Sequence, residues 1–399
     1  METNATKNHM VCWLPWFRIA NSIKIGEITF IRYERGRAIP GCDDELAREL
    51  SELAKRFIDI HGNSLQTMCI AVWRDNLTFP VLGHSEMRPV IEAANLLMLA
   101  YHAKNEYLTQ GGHYANASMF QLVMQKFEAG SKYTAVVTRG RDGPRSDLGF
   151  TRSEIKDQAP RAIRTCGSLR EPGTEFLEAL DKVAGKKASH HRKILNSLFF
   201  FGLANTDDTN TRLDMEVVLL EWSIDHLLGP FSGNRNYQMG IMNSLRRYAK
   251  ITVSHSTRLK GGVSRKAEEE NWLLLQQWAY EHYLLRNNIT HGEDWRSMQW
   301  RWDISEHCLF AAWVYPLLVK LVLMGHREYT LTTADEACLA SIDAVLASPD
   351  WGSDWDRIIR ENKWTIDSQR DTNKFLAEHP DVLKKLQDAI DQAGATDGS

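Results

Sequence analysis

Residues 213–229 read LDMEVVLLEWSIDHLLG, and this stretch decides the fold of the C-terminal half of the chain. Its apolar residues recur at spacings of 4, 3, 4 and 3, the pattern of an amphipathic helix whose apolar face packs against neighbouring helices. The residues of this face are Leu213, Val217, Leu220, Ile224 and Leu227. The sequence therefore predicts a helix over 213–228 that belongs to a helical bundle.

Further helices are predicted on both sides of this one, and strand signals vanish after Thr174. The helix over 268–287 carries apolar residues around most of its circumference, so we expect neighbouring elements to cover it on more than one side. Together these segments predict an all-α bundle. The additional helices are predicted over 174–183, 190–204, 239–249, 268–287 and 305–325.

The first 170 residues mix the periodicities of strands and helices. A polar stretch over 139–172 separates them from the bundle, and weaker helices over 333–347 and 354–362 follow it. The fold class is therefore α+β, with a mixed α/β domain at 1–170, an all-α bundle at 171–327 and a helical C-terminal extension at 328–399. Within the first domain, strands are predicted over 23–31, 67–73, 120–127 and 133–137, and helices over 43–60 and 90–108.

The composition is that of a folded protein without a strong overall charge. Of the 399 residues 43% are hydrophobic, which excludes an intrinsically disordered chain. The formal net charge is -3, so a nucleic acid must be bound by a local basic patch. The six cysteines form no CxxC pair, which removes the usual zinc-ribbon and dithiol-redox signatures.

No segment of the sequence predicts membrane attachment. The first residues lack a basic region followed by an apolar run and a small-residue cleavage site. The most apolar run, 309–324, is interrupted by Pro316 and Lys320 and is shorter than the roughly 20 residues of a membrane span. We expect a buried core helix there, and a reduced, cytoplasmic protein.

The residues that carry chemistry lie in EHYLLRNNITHG, residues 281–292. A long helix is predicted to run into Arg286, and Gly292 permits the left-handed residue that often follows a helix end. This places Arg286 and His291 at a helix terminus and its exit turn, with Asn287 beside them. An imidazole can exchange protons with a ribose 2′-OH or a leaving 5′-oxygen, and a guanidinium can hold the phosphate. These groups suit metal-independent RNA cleavage by an internal hydroxyl.

The spacing of this pair is not specific by itself. An Arg followed four to six residues later by His also occurs at Arg56–His61 and Arg301–His307. The pair Arg286–His291 differs because Asn follows the Arg, Gly follows the His, and the preceding helix lies in the helical region. The alternative is a structural one, in which both side chains merely place positive charge at a helix C-terminus.

A basic strip precedes the motif helix. Between residues 235 and 266 there are eight Lys/Arg and no Asp or Glu. This pattern favours a surface that follows RNA phosphates, and the alternative is a solvated face with a flexible Ser/Gly loop. The candidate RNA-binding residues are Arg246, Arg247, Lys250, Arg258 and Lys260.

Other polar residues have competing interpretations. Glu221 and Asp225 are four apart and share a helix face, so one of them can orient the Arg/His pair, or both are ordinary surface acids. His190 and His191 have no Cys or acid at ligand spacing, so we predict a basic helix start and no metal site. His282 is expected to be a hydrogen-bonded core or interface histidine. The tryptophans at 295, 300 and 302 either stack on bases or pack within an inter-helix loop.

The run RNNITHG after a Trp- and Leu-rich helix resembles the Arg-x4-6-His motif of HEPN domains, specifically the ApeA-like branch. Residues 199–229, FFFGLANTDDTNTRLDMEVVLLEWSIDHLLG, are similar to the helix–loop–helix of that branch, with its acidic residue before a Leu pair. The resemblance covers about residues 190–325. The chain departs from the family at Asp225, where Glu is frequent.

The resemblance implies a metal-independent endoribonuclease without cofactors, which works as a homodimer and leaves a 2′,3′-cyclic phosphate and a 5′-hydroxyl. Arg286 and His291 are then the catalytic pair, Asn287 is the polar residue after the Arg, and Asp225 or Glu221 is the acidic partner on the facing helix. Many such proteins are toxins of prokaryotic abortive-infection and other anti-phage systems, in which an attached domain senses the trigger. We therefore expect a sensor or regulatory role for residues 1–170 and an antitoxin or sensor partner.

The alternative from the same resemblance is a HEPN-like bundle that serves dimerisation and RNA or nucleotide binding without catalysis.

Overall fold

The structure is a computed structural model, and its residues form two compact units that are described separately. The first unit comprises Met1–Ser244 with Trp278–Thr330, and the second comprises Leu245–Gln277 with Leu331–Ser399. The residues that the structure describes are 8–37, 42–59, 61–74, 76–80, 87–104, 116–128, 133–136, 138–140, 143–145, 150–151, 171–185, 188–206, 211–229, 233–256, 269–348, 354–382 and 384.

An antiparallel sheet of eight strands forms one part of the first unit. Its order is β10-β7-β6-β1-β4-β3-β2, and β5 also pairs with β1. A separate hairpin consists of β8 (Thr138–Gly140) and β9 (Gly143–Arg145). The strands of the sheet are β1 (Asn8–Leu14), β2 (Ile23–Ile25), β3 (Ile28–Glu34), β4 (Thr67–Trp73), β5 (Phe79–Pro80), β6 (Val123–Glu128), β7 (Tyr133–Val136) and β10 (Phe150–Thr151).

The central strand β1 is buried on both faces. Its residues from Met10 to Leu14 have no exposed surface, although their side chains alternate between the two sides of the sheet. On one side, Trp13 packs with Tyr33 and Phe57 and with Leu50 of helix α1 (Asp44–Ala54). The sheet is therefore an internal layer of the unit.

The single strand predicted over 23–31 is wrong, because the segment is a hairpin of β2 and β3. Gly26 has a φ of 63°, the positive value that a two-residue hairpin loop requires at its first position. The helix predicted over 43–60 is also too long. It ends at Ala54, because the next residues bond elsewhere: Ile58 O accepts the buried Trp16 indole N–H at 2.9 Å.

Besides α1, the described residues of the first unit form five whole α-helices and most of two others. The whole ones are α2 (Arg88–His102), α3 (Thr174–Val183), α4 (Ser189–Ala204), α5 (Leu213–Leu228) and α8 (Ile304–Gly325), and the others are α6 (Asn234–Leu245) and α7 (Leu274–His291). Helix α5 packs between α4 and α8, and α2 packs on α4. The ends of α3 and α5 agree with the prediction to the residue. The last residue of α6 and the first four of α7 belong to the second unit.

Helix α8 is the core helix predicted around the apolar run 309–324. By length and hydropathy it is the one helix among the described residues that could cross a membrane, but 78% of its apolar window is buried inside the protein. Tyr315 donates to or accepts from Ser197 Oγ at 2.6 Å and stacks on Phe201 with ring centroids 4.3 Å apart. Both partners lie on α4, so α8 is held in the bundle by specific contacts.

Among its described residues, the second unit contains a hairpin and three whole α-helices. Strand β11 (Thr252–Ser256) pairs antiparallel with β12 (Glu269–Leu273). The Asp343 carboxylate accepts the backbone N–H groups of Lys250 and Ile251, the latter at 2.7 Å, which fixes the start of the hairpin. The helices are α9 (Thr333–Ala340), α10 (Ile342–Ala347) and α11 (Asp354–Glu378).

This hairpin corrects the prediction that strands are absent after Thr174. The segment predicted as a helix over 268–287 begins as strand β12, and its helix starts only at Leu274. The helix predicted over 333–347 is interrupted at Ser341, and the one predicted over 354–362 extends to Glu378. The mixed α+β class is confirmed, whereas the division at 170 and 327 and the HEPN layout stay predictions.

Candidate functional site

Helices α5 and α7 carry the residues that the sequence singled out. Helix α7 does not end near Arg286, as predicted, but continues to His291. Arg286 therefore lies inside the helix, and His291 is its last residue. Since the two are five residues apart, they differ by about 140° around the helix axis and about 7.5 Å along it. Within one chain, the helix does not bring Arg286 and His291 onto one face.

The end of α7 is a Schellman motif around Gly292. Gly292 has a φ of 69°. Its N–H bonds to Ile289 O at 3.3 Å, and the N–H of Glu293 bonds to Asn288 O at 2.8 Å. These are the two bonds by which a glycine cap satisfies the last helical carbonyls. The predicted left-handed residue after the helix is confirmed, and it holds the exposed His291 at a defined helix end.

Arg286 contacts an acidic side chain of the facing helix. Its Nε lies 3.2 Å from Glu221 Oε2, with Glu221 almost fully buried and the Arg286 side chain 24% exposed. The N–H does not point closely enough at the oxygen to form a hydrogen bond, so the contact is an electrostatic one. Glu221, one of the two acids considered in the sequence, thus forms an ion pair with Arg286. Asp225 follows one turn later and is half-buried.

Two neighbours on α7 also fix the guanidinium of Arg286. Its Nη1 donates to Asn287 Oδ1 at 2.8 Å, and its Cζ lies 5.9 Å from the ring centroid of Tyr283. Asn287 is four residues before His291 and so shares its helix face. Asn287 therefore contacts the partly buried Arg286 and lies on the same helix face as the exposed His291.

Burial governs the charge of Glu221. Desolvation raises the pKa of its carboxyl from 4.5 to about 7, which the positive charge of Arg286 opposes and the negative charge of Asp225 reinforces. The pair with Arg286 is therefore fully charged only above neutral pH.

Tyr237 of α6 is a site residue that the sequence did not indicate. It is fully buried, and burial together with the charges of Glu221 and Asp225 raises its pKa well above the ordinary value. Its ring lies 5.6 Å from that of Tyr283. The sequence predicts that this helix begins at residue 239, whereas α6 begins at Asn234, so Tyr237 lies outside the predicted element.

His282 is a core histidine, as predicted, but it is not hydrogen-bonded. It is fully buried, stacks on Trp278 at 4.9 Å and lies 5.7 Å from the ring of His307. Neither of its ring nitrogens has a hydrogen-bond partner among the described residues. Burial, aided by His307, lowers its pKa well below the ordinary value, so the ring is neutral. It is not available to solvent as a second catalytic imidazole.

The basic strip is only partly described. Arg246 and Arg247 lie in a short 3-10 helix directly after α6, and Lys250 follows it; all three are exposed and belong to the second unit. Arg258 and Lys260 lie outside the described residues. RNA contact by these five residues stays a prediction.

The tryptophan-rich loop after α7 is packed. Trp300 Nε1 donates to Trp295 O at 2.8 Å, Arg296 lies 4.4 Å over the ring of Trp295, and Trp302 is buried. These contacts favour the interpretation as an inter-helix loop over a base-stacking surface.

Comparisons with protein-family models, with curated proteins and with solved structures find no match to this chain.

Proposed function

We propose that the chain is a metal-independent endoribonuclease of the HEPN type that cleaves RNA by attack of its own 2′-OH. The proposal rests on the arrangement of the side chains at the end of α7. Arg286 is fixed by Glu221 and Asn287, while His291 on the same helix end is exposed to solvent.

The residues have complementary parts in this reaction. An imidazole takes the proton of the ribose 2′-OH, whose oxygen then attacks the phosphorus. The P–O5′ bond breaks, and the 5′-oxygen receives a proton, which leaves a 2′,3′-cyclic phosphate and a 5′-hydroxyl. Arg286 stabilises the charge on the phosphoryl oxygens, and Asn287 orients the Arg286 side chain. Glu221 and Asp225 determine the electrostatic environment of Arg286.

A homodimer completes the site in this proposal. The reaction needs both a base and an acid, and each chain offers one exposed imidazole at the motif. Because Arg286 and His291 lie on different faces of α7, a second copy that faces the first would bring an imidazole of one chain beside the guanidinium of the other. The resemblance adds a role in anti-phage defence, in the cytoplasm, as a toxin with an antitoxin or sensor partner. In this role residues 1–170 respond to the trigger.

The test is incubation of total bacterial RNA with the purified chain in excess EDTA. We expect discrete fragments from the wild type and none from His291→Ala. His226→Ala is the matched control, because it removes another exposed histidine from the last turn of a bundle helix. Equal cleavage by the wild type and by His291→Ala would contradict the proposal.

A second candidate is a catalytically idle bundle that binds RNA or nucleotides as a dimer. The observation that favours it is the engagement of Arg286 within its own chain by Glu221, Asn287 and Tyr283. This candidate predicts RNA binding without scission. Cleavage by the wild type separates the two candidates. If the wild type cleaves, Arg286→Lys should keep most of the stability but reduce the cleavage, because an ammonium does not replace the guanidinium on the phosphate.

A further inference from the structure

Two imidazoles and one carboxylate converge where the start of α4 meets the residues that follow α8. Glu328 Oε2 lies 2.7 Å from His191 Nε2 and 3.2 Å from His190 Nε2. The ligand atoms of the three residues all lie within 4.8 Å of one another. The ring of His326 stacks on that of His190, with centroids 3.7 Å apart. No part of the proposed nuclease reaction uses these residues.

We propose that His190, His191 and Glu328 bind one divalent transition-metal ion of the zinc type, with solvent as the fourth ligand. Two imidazole nitrogens and a carboxylate oxygen are a donor set that zinc sites use. Around a tetrahedral ion with bonds of about 2.0–2.1 Å, ligand atoms are about 3.3–3.5 Å apart. To reach this spacing, His191 Nε2 needs to move away from the carboxylate oxygen by about 0.6–0.8 Å and His190 Nε2 by about 0.1–0.3 Å.

The burial of the three side chains suits a site with one open position. His191 is 1% exposed, whereas His190 and Glu328 are 15% and 19% exposed.

The backbone holds Glu328 in place. Arg327 has a φ of 59°, the N–H of Arg327 bonds to Met324 O, and the N–H of Glu328 bonds to Leu323 O, each at 2.9 Å. This is a Schellman motif with an arginine at the left-handed position, where glycine is usual. The ion would tie this turn after α8 to the first turn of α4.

Sequence spacing could not reveal this cluster. The sequence predicts no metal site at this position, because no acid lies at ligand spacing from His190 and His191. The acid comes instead from Glu328, 137 residues after His191. The competing explanation is a metal-free clamp, in which the two Nε2–H groups donate to the carboxylate.

The test uses the full chain, purified without a histidine tag, stripped with a chelator and titrated with Zn²⁺ in competition with a chromogenic chelator. We expect one ion per chain and, at about 100-fold excess over Kd, a rise in Tm of about 3 °C. Glu328→Gln and His191→Ala should each weaken binding by more than about 100-fold. His226→Ala should leave it unchanged. Glu328→Gln keeps an acceptor oxygen at the site, so the clamp should survive in it.

Binding of Co²⁺ to the wild type provides a readout that needs no variant. A site with two imidazoles and low coordination number gives visible ligand-field bands, which excess Zn²⁺ should remove. The absence of stoichiometric Zn²⁺ binding, or Zn²⁺ binding that is unchanged in Glu328→Gln, would overturn the proposal and leave the clamp. The outcome is independent of RNA cleavage, which the proposed nuclease performs in EDTA.

Discussion

At the scale of single residues, Glu221 controls the electrostatics of the candidate site. Burial raises its pKa from 4.5 to about 7, so the folded protein holds this proton more tightly than the unfolded chain does. Linkage then makes the contribution of Glu221 to stability fall as pH rises from about 4.5 through 7. Glu221→Gln cannot ionise, and it removes this slope.

We therefore expect the free energy of unfolding of Glu221→Gln, relative to wild type, to increase by on the order of 3 kcal/mol between pH 4.5 and pH 8. Urea unfolding at several pH values measures the difference. Glu178 is exposed, and Glu178→Gln is the control: its free energy of unfolding should change with pH as that of the wild type does. Parallel curves for Glu221→Gln would show that its carboxyl titrates normally.

His102 shifts stability in the opposite direction. It is fully buried between Phe120 and Phe201, and burial lowers its pKa from 6.5 to about 4, against a smaller effect of its bond to Met98 O. The unfolded chain takes up a proton that the folded one excludes, so stability is lost as pH falls from 6.5 towards 4. In His102→Met, we expect the free energy of unfolding to decrease on acidification by about 3 kcal/mol less than in the wild type. Thermal unfolding at pH 7 and pH 4.5 checks it, and an acid loss equal to that of wild type would contradict it.

At the scale of elements, the glycine cap of α7 holds the catalytic candidate His291. An added Cβ at Gly292 meets no atom within 4 Å, so Gly292→Ala has only the backbone strain of a φ of 69°. We expect a loss of about 1 kcal/mol, fraying of the last turn and weaker RNA cleavage.

Gly325 provides the matched control for this change. A Cβ added at Gly325 also meets no atom within 4 Å, but Gly325 is the last residue of α8 and has no positive φ. Gly325→Ala should stabilise the protein by up to about 1 kcal/mol, because Ala loses less backbone entropy in a helix. Thermal denaturation of both variants measures the contrast. A stabilising Gly292→Ala would mean that the helix does not end in the left-handed cap.

The N-terminus of α8 depends on a capping box. Asp303 accepts the N–H of Glu306 at 2.8 Å, and Glu306 Oε2 accepts the N–H of Asp303 at 2.7 Å. Asp303→Ala should cost about 1–2 kcal/mol, whereas Asp303→Asn should retain most of the stability because the amide oxygen can still accept. Chemical denaturation compares the two, and equal losses would assign the effect to the charge of Asp303 and not to the cap.

At the scale of the whole molecule, local periodicity predicted the α+β class and several element ends. Helices α3 and α5 and strand β4 agree to the residue, because each apolar pattern ends within two residues of a glycine or a charged residue: Gly185, Gly229 and Arg74. The pattern failed where pairing is not local. The apolar residues Trp272 and Leu273 continue the helical run of α7, yet they pair with β11 across an intervening segment. In the hairpin of β2 and β3, the apolar–polar alternation of the strands continues through the two-residue loop, so the sequence pattern does not indicate the turn.

The sequence predicts the residues of the candidate site that lie within one segment, but not the contacts between residues far apart in the chain. Arg286, Asn287, His291 and Gly292 were identified from one stretch of α7. Glu221 and Asp225 share a helix face, and the sequence alone could not show that Glu221 forms an ion pair with Arg286. Tyr237 and Glu328 acquire their surroundings from residues far away in the sequence, and no spacing rule finds such contacts.

The most direct test of the central claim is cleavage of a short RNA that contains a mapped site, in excess EDTA, beside the same RNA with a single 2′-deoxynucleotide before the scissile phosphate. We expect the wild type to cut the all-RNA substrate to a 2′,3′-cyclic phosphate end and to leave the deoxy-substituted one intact, and we expect His291→Ala to cut neither. Cleavage of the deoxy-substituted RNA, or a wild type that cuts neither substrate while binding both, would contradict the claim that α7 carries a ribonuclease site.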